Sequence, residues 1–195
     1  ESLKPEEEAE KIDEQGLQDD LGTKYRMTYM FSATMPPSVE KLARKYMRNP
    51  AVVNIGGAGK TSDLIKQIVQ WTTNNQKPTQ LELVLSQYPD TQAIIFVNTK
   101  RIVDHVSNLC HKMGYSVAAI HGGKSQDQRE ESLRGFKQGE YDILVATDVA
   151  GRGIDVKGID LVVNYEMPLI IENYTHRIGR TGRAGRQGTA VSFLT

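Results

Sequence analysis

From residue 65 onward the chain alternates short apolar runs with amphipathic stretches, and this alternation sharply limits the folds open to it. Ala93–Val97 is five apolar residues without a polar interruption, which suits a strand covered on both faces. Strand signals fall at Ile65–Thr72, Ala93–Val97, Ser116–Ile120, Asp142–Ala146, Asp160–Tyr165 and Gly188–Leu194. Helix signals lie between them. Pro78–Gln87 turns Leu81, Val84 and Leu85 inward. Thr99 caps a helix with Val103, Val106, Leu109 and Met113 on one face, stopped by Gly114. Ser125 and Gln128 form a capping box before a helix carrying Leu133 and Phe136, ended by Gly139. Glu172–Gly179 is a further helix. Such alternation predicts an α/β fold, a parallel sheet with helices on both faces.

In sheets of this kind ligands bind beyond the carboxyl ends of the strands, and the polar residues of this chain gather there. Asn98-Thr99-Lys100-Arg101 follows the second strand of this region, His121-Gly122-Gly123-Lys124 the third, and Thr147 to Asp155 the fourth. Just before the last strand runs His176 to Arg186, with arginines at 177, 180, 183 and 186 and no acid. Guanidinium carries a permanent charge and a planar fork of donors that fits phosphate oxygens. The run therefore reads as ligand-facing surface and not as core.

The preceding part is organised differently. Residues 1–22 form an acidic, exposed segment. Residues 1–20 hold nine acids and two bases, a net charge of −7, against fifteen acids and twenty-two bases in residues 21–195, a net charge of +7. A basic globular part suits a polyanionic partner. Tyr25–Phe31 reads as a strand running into Ser32-Ala33-Thr34, and Ser38–Met47 as a helix ended by Pro50. One strand and one helix are too little for a domain, so residues 23–48 read as the tail of one. Residues 49–64 read as a hinge: Gly56-Gly57-Ala58-Gly59-Lys60-Thr61 imitates a phosphate loop, but Asn54 stands where that pattern needs glycine. The single cysteine, Cys110, lies in an apolar helical pattern and reads as a buried, inert thiol. No apolar run reaches about 18 residues, which predicts no membrane-spanning helix.

Taken as an ordered set, these blocks resemble the DEAD-box family of ATP-dependent RNA helicases. Ser32-Ala33-Thr34 matches the third motif of that family, Ile94–Lys100 the fourth, and Gln126–Arg129 the short Gln-x-x-Arg element. Ala146–Asp155 matches the fifth motif and His176–Arg183 the sixth. The histidine that opens the sixth favours the DEAD-box branch over DEAH-type relatives, which usually have glutamine there. The resemblance covers residues 25–195. Within the family, Met35-Pro36-Pro37, the linker from Pro50 to Lys60, Gly123 (where many relatives have aspartate) and the acidic segment are similar to the spliceosomal Prp28-type branch.

The resemblance implies two RecA-like domains with ATP between them and RNA across both. It places the end of the first domain at residues 23–48, the linker at 49–64 and the second domain at 65–195. The P-loop, the Asp-Glu-Ala-Asp motif and the adenine-reading segment are not in this sequence, and the chain reads as a segment of a longer protein. Arg180 and Arg183 are implied to reach the γ-phosphate, Asp155 to accept hydrogen bonds from the ribose, and Gly153 to leave room for it. Thr99, Gly123, Arg129 and Thr147 are implied to line the RNA backbone, and Arg152 to brace the fifth motif beside them. Ser32 and Thr34, with His176 from the other domain, are implied to couple the ATP site to RNA. Mg²⁺ is implied to be held by the missing half, and no metal site is expected in this chain. The implied partners are RNA, the N-terminal RecA-like domain and spliceosomal snRNP proteins, in the nucleus. Two other readings stand beside this one: an RNA-binding scaffold that has lost catalysis, and a translocating helicase of the same superfamily.

Overall fold

A computed structural model describes residues 28–32, 35–54, 62–148, 159–183 and 185–195. The chain divides into two compact units, residues 1–60 and 61–195. In the first, helix α1 spans Pro37–Tyr46, with proline in its first turn and an exposed Glu40–Arg44 pair at 2.8 Å. None of its residues is buried, and Leu42 and Tyr46 are exposed. The strand expected over Tyr25–Phe31 is not found in its described part, since residues 28–32 carry no regular structure. A strand satisfies its N–H and C=O groups only against a neighbour, and no other strand is described in residues 1–60. β-prone composition did not supply a partner.

The second unit holds β1 (Ile65–Trp71), α2 (Lys77–Ser86), β2 (Ala93–Val97), α3 (Lys100–Lys112), β3 (Val117–Ile120), α4 (Gln126–Lys137), β4 (Ile143–Thr147), β5 (Leu161–Asn164), α5 (Ile171–Ile178) and β6 (Gly188–Leu194). The strands form one sheet in the order β1-β6-β5-β2-β4-β3, and every described pairing is parallel. This is the expected α/β architecture, with boundaries shifted by a residue or so. The helix starts arise from the sequence: Ser125 accepts from the Gln128 amide while the Gln128 side chain accepts from the Ser125 amide, closing two donors that a helix leaves open.

Side-chain alternation along the strands feeds two cores. Ile95, Val97, Val145 and Val163 pack with Leu81, Val84 and Leu85 of α2 and Val103, Val106 and Cys110 of α3. Ile94, Phe96, Leu144, Ala146 and Val162 pack on the other face with Phe136 of α4 and Ile178 of α5. Every residue of β2 is buried, as its central place between β5 and β4 demands. Burial of this kind contributes about 25 cal/mol per Å² of apolar surface. It makes the sheet a rigid platform for the loops at its carboxyl edge.

Candidate functional site

At that edge the ends of β2, β3 and β4 open into a cleft of about 490 Å³ lined by Asn98, Lys100, Gly122, Gly123, Thr147, Asp148 and Asn173. Two residues expected from the sequence, Gly123 and Thr147, line it. Asn98, Lys100, Asp148 and Asn173 join them. The lining combines amides, a hydroxyl and one cation, groups that hold phosphate oxygens without reading bases, with one carboxylate, Asp148, whose charge is taken up by Arg177.

Beneath the cleft lies Arg177, among the largest fully buried side chains and 2% exposed. Its Nε and Nη2 donate to the two carboxylate oxygens of Asp148, at 2.5 and 2.9 Å. Nη2 also donates to Asn98 Oδ1 at 2.7 Å, and Nη1 to the Glu166 carbonyl at 2.6 Å. The guanidinium carbon stands 5.4 Å from the centre of the Phe96 ring. The surrounding groups are themselves tied: the Asn98 amide donates to the Glu166 carboxylate at 2.7 Å, Asn98 Nδ2 to the Met167 carbonyl at 2.9 Å, and Asn173 Nδ2 to Asp148 at 3.3 Å. One buried cation thus ties the segments after β2, β4 and β5 to helix α5. Arg177 is buried and Asp148 partly exposed, so removing Asp148 strands the guanidinium; in fully buried pairs such a loss costs about 3–5 kcal/mol.

The sequence reading missed this residue. It placed the arginine run at the surface and gave Arg177 no partner, yet Arg177, Ile178 and Thr181 are all buried. A signal was present. Tyr174, Arg177 and Ile178 recur at helical spacing on the inward side of α5, and a cation on a buried stripe requires a buried acid.

The rest of the run is anchored through its backbone and through Thr181. The Arg180 amide donates to the Arg177 carbonyl at 3.1 Å, and the Thr181 amide to the Ile178 carbonyl at 3.1 Å. Thr181 Oγ1 donates to the Ile159 carbonyl at 2.5 Å. Gly182 takes φ +65°, and a Cβ there would collide with the Ile65 side chain. Arg180 is half-buried and Arg183 exposed. Arg180 Nε donates to the His176 carbonyl at 3.2 Å and Arg183 Nε to the Gly179 carbonyl at 2.7 Å. Both guanidinium groups therefore sit at the carbonyl end of α5, where cations are favoured. His176 is half-buried.

Thr99 caps α3, its hydroxyl accepting from the Ile102 amide at 3.4 Å. The Gly123 amide donates to His121 Nδ1 at 3.1 Å, and His121 Nε2 faces Asp104 at 3.5 Å. Arg129, on α4, has a buried Nε without a hydrogen-bond partner, and its Nη1 donates to Gln126 at 3.3 Å. Ser32 is exposed and belongs to the first unit. Thr34, Arg152, Gly153 and Asp155 lie outside the described residues, as do residues 1–22 and most of the glycine-rich linker.

Lys77 of α2 lies 6% exposed with its ammonium 5.6 Å from the Tyr165 ring centre. Burial lowers its pKa and Glu166 partly opposes that shift. Burial, then Glu166, raises the Tyr165 phenol. Among the described residues no three His, Cys, Asp or Glu side chains converge on a point that could hold a metal ion, and no helix is long and apolar enough to cross a membrane.

Comparison with known proteins gives this arrangement a context. The family model described as "Helicase conserved C-terminal domain" matches residues 76–185. The chain is 55% identical over 194 residues to DEAD-box ATP-dependent RNA helicase 21 of Oryza sativa subsp. japonica, covering 100% of the chain and 25% of that protein. It is 47% identical over 173 residues to the pre-mRNA-splicing ATP-dependent RNA helicase PRP28 of Yarrowia lipolytica, covering 88% of the chain and 30% of that protein. The chain thus spans between a quarter and a third of these relatives. Among solved structures it resembles the RNA helicase Prp28 from Chaetomium thermophilum bound to ADP, with 43% identity, a TM-score of 0.63, and coverage of 95% of this chain and 46% of that one. The six-stranded parallel sheet with its helices is the RecA-like C-terminal domain of these structures.

Proposed function

The chain belongs to the helicase C-terminal domain family, among the DEAD-box RNA helicases, and on that premise we propose that it is the second RecA-like half of an RNA-dependent ATPase that locally unwinds short RNA duplexes. The observation that carries the reading is the arginine loop held by buried Arg177 beside a polar cleft at the carboxyl edge of the sheet.

ATP binds between this domain and the N-terminal RecA-like domain of the same protein. Arg180 and Arg183 leave the end of α5 for the γ-phosphate and neutralise charge that spreads over its oxygens in the transition state. Such a finger is worth roughly a thousandfold or more in rate. Asp155 accepts from the ribose, with Gly153 leaving it room. Ser32, Thr34 and His176 take part in coupling nucleotide binding to RNA. Mg²⁺ is held by the other domain, since the arginine loop from His176 to Arg186 carries no carboxylate to bind it.

RNA lies in the cleft over β2–β4, touched by Lys100, Gly123 and Thr147, with Thr99, Arg129 and Arg152 beside it. Contacts to phosphate alone make binding independent of sequence and sensitive to salt. The Prp28 names among the relatives support a finer assignment: a nuclear spliceosomal helicase that works with snRNP proteins and helps exchange snRNAs at the 5′ splice site.

The test is ATP hydrolysis by the full-length protein with and without RNA, comparing wild type with Arg183→Ala. A loss of about a thousandfold in the variant is expected. Unchanged turnover would remove the arginine assignment.

A further inference from the structure

The chain leaves β5 through Met167-Pro168 and enters α5 through Leu169-Ile170-Ile171. Those three apolar side chains stand in water: Leu169 is 94% exposed, Ile170 55% and Ile171 71%. The fold gains little from the first two. Ile170 occupies the N-cap of α5 and makes no side-chain cap, at a position where serine, threonine, asparagine or aspartate would close an open amide and isoleucine cannot. A run of exposed apolar residues that neither packs nor caps marks a contact surface. We propose that Leu169, Ile170 and Ile171 form an apolar wedge that packs against the bases of RNA bound in the cleft and opposes their stacking into a duplex. The proposal rests on the functional reading above, which puts the RNA backbone in that cleft.

Position and charge select the occupant. The wedge continues the rim of the cleft outward. Asn98, which lines the cleft, donates Nδ2 to the Met167 carbonyl at 2.9 Å. Asn173 lines it too, and its amide donates to the Ile170 carbonyl at 3.0 Å. The apolar tip is therefore held on both sides by cleft residues. Leu169 is two residues beyond Met167, so its Cα lies within about 8 Å of the Met167 Cα, a reach of roughly two stacked bases. Glu172, in the first turn of α5, sets a negative charge beside the wedge and repels phosphate, whereas Lys100 in the cleft attracts it. A backbone gripped in the cleft leaves the bases as the part of the RNA that reaches past the rim, and unstacked bases are covered by side chains that offer them an apolar face. Leucine and isoleucine set beside a base step unstack it, as apolar wedges do in kinked duplexes. A base packed on Leu169 cannot also stack on its neighbour, so the strand in the cleft is kept from its complement at this point.

The test uses the full-length protein with purified RNA and no other protein. Leu169→Ser combined with Ile170→Ser removes the wedge, and serine at 170 supplies α5 with a cap, so this doubly substituted protein is expected to keep a thermal midpoint at or above that of wild type. Leu169→Phe keeps an apolar surface on which a base can stack. ATP hydrolysis and separation of a short RNA duplex are measured together and expressed as ATP consumed per duplex separated, a ratio that does not depend on the folded fraction. The expected result is a ratio raised about fivefold or more in the serine protein and restored to within about twofold of wild type in Leu169→Phe. An unchanged ratio in the serine protein overturns the proposal, and is the outcome expected of a surface that serves a protein partner or none. A Leu169→Phe protein as impaired as the serine protein overturns it as well. Lys100→Glu is carried alongside. RNA affinity equal to wild type in that variant overturns the cleft reading itself, and is told apart from the other outcomes because Leu169 and Ile170 are intact there.

Discussion

Asn164 and Ser192 are both fully buried, and Asn164 Nδ2 donates to Ser192 Oγ at 2.9 Å across the β5–β6 pair. Two buried polar side chains on neighbouring strands are tolerated because each satisfies the other. Asn164 Oδ1 also faces Arg177 Nη1 at 3.5 Å, so the pair continues the network under the cleft. Ser192→Ala leaves a buried amide donor unmatched. It is expected to destabilise the domain by about 1–3 kcal/mol, read as a lowered midpoint in urea at constant slope. An unshifted midpoint would show that the pair contributes nothing net.

Cys110 is fully buried and its thiol is pushed up to about 12 by burial. The thiolate is the reactive form, so alkylation at pH 8 should be at least about a hundredfold slower in native than in denaturant-unfolded protein. The folded state keeps a proton that the unfolded state releases near pH 9. Stability from this group is therefore complete below about pH 9 and declines as pH rises toward 12. Native alkylation at the unfolded rate would place Cys110 outside the core.

Gly188 begins β6, and a Cβ built there would collide with Thr181 Oγ1 and fall 2.8 Å from the Gly182 amide. Neither can yield cheaply, since Thr181 is buried and bonded to Ile159. Gly188→Ala is expected to destabilise by about 2 kcal/mol or more and to disturb the arginine loop. Thermal unfolding with ATPase measured well below the midpoint separates the two effects. A wild-type midpoint would mean that the loop has room the structure does not show.

Phe136 is the aromatic anchor of α4 in the second core and has no exposed surface. Phe136→Ala is expected to cost about 3–5 kcal/mol. Denaturant titration checks this, and a loss under about 1 kcal/mol would mean the site collapses around the smaller side chain.

The 195-residue chain by itself is expected to hydrolyse no ATP, because it supplies arginines but no phosphate loop or Asp-Glu-Ala-Asp motif. RNA-stimulated turnover by the purified chain would defeat that expectation.

The elements of the second unit were legible in its sequence because periodicity and capping are local. The Ser125–Gln128 box and the unbroken Ala93–Val97 run each declare themselves within a few residues. Thr28 to Phe31 misled for the opposite reason: β-prone side chains report a preference, while a strand requires a partner. Arg177 was missed because its burial depends on Asp148, on a different element, and a single charge says nothing about a distant acid. The donation of the Gly123 amide to His121 Nδ1 is a matter of side-chain geometry that spacing alone does not reveal.

The strand order carries a consequence for how the molecule is made. Among the described strands of the second unit β1 is the first to leave a ribosome, and its neighbour in the sheet is β6, the last of them, with Ile65 opposite Gly188. During synthesis β1 waits with an open edge while β2, β3, β4 and β5 pair among themselves. Pairings so distant in sequence are slow to form, and unpaired edges invite association with other chains. A nascent chain that stalls before Gly188 exposes both β1 and the flank of β5, so the hazardous interval in the life of this domain lasts at least until β6 is made.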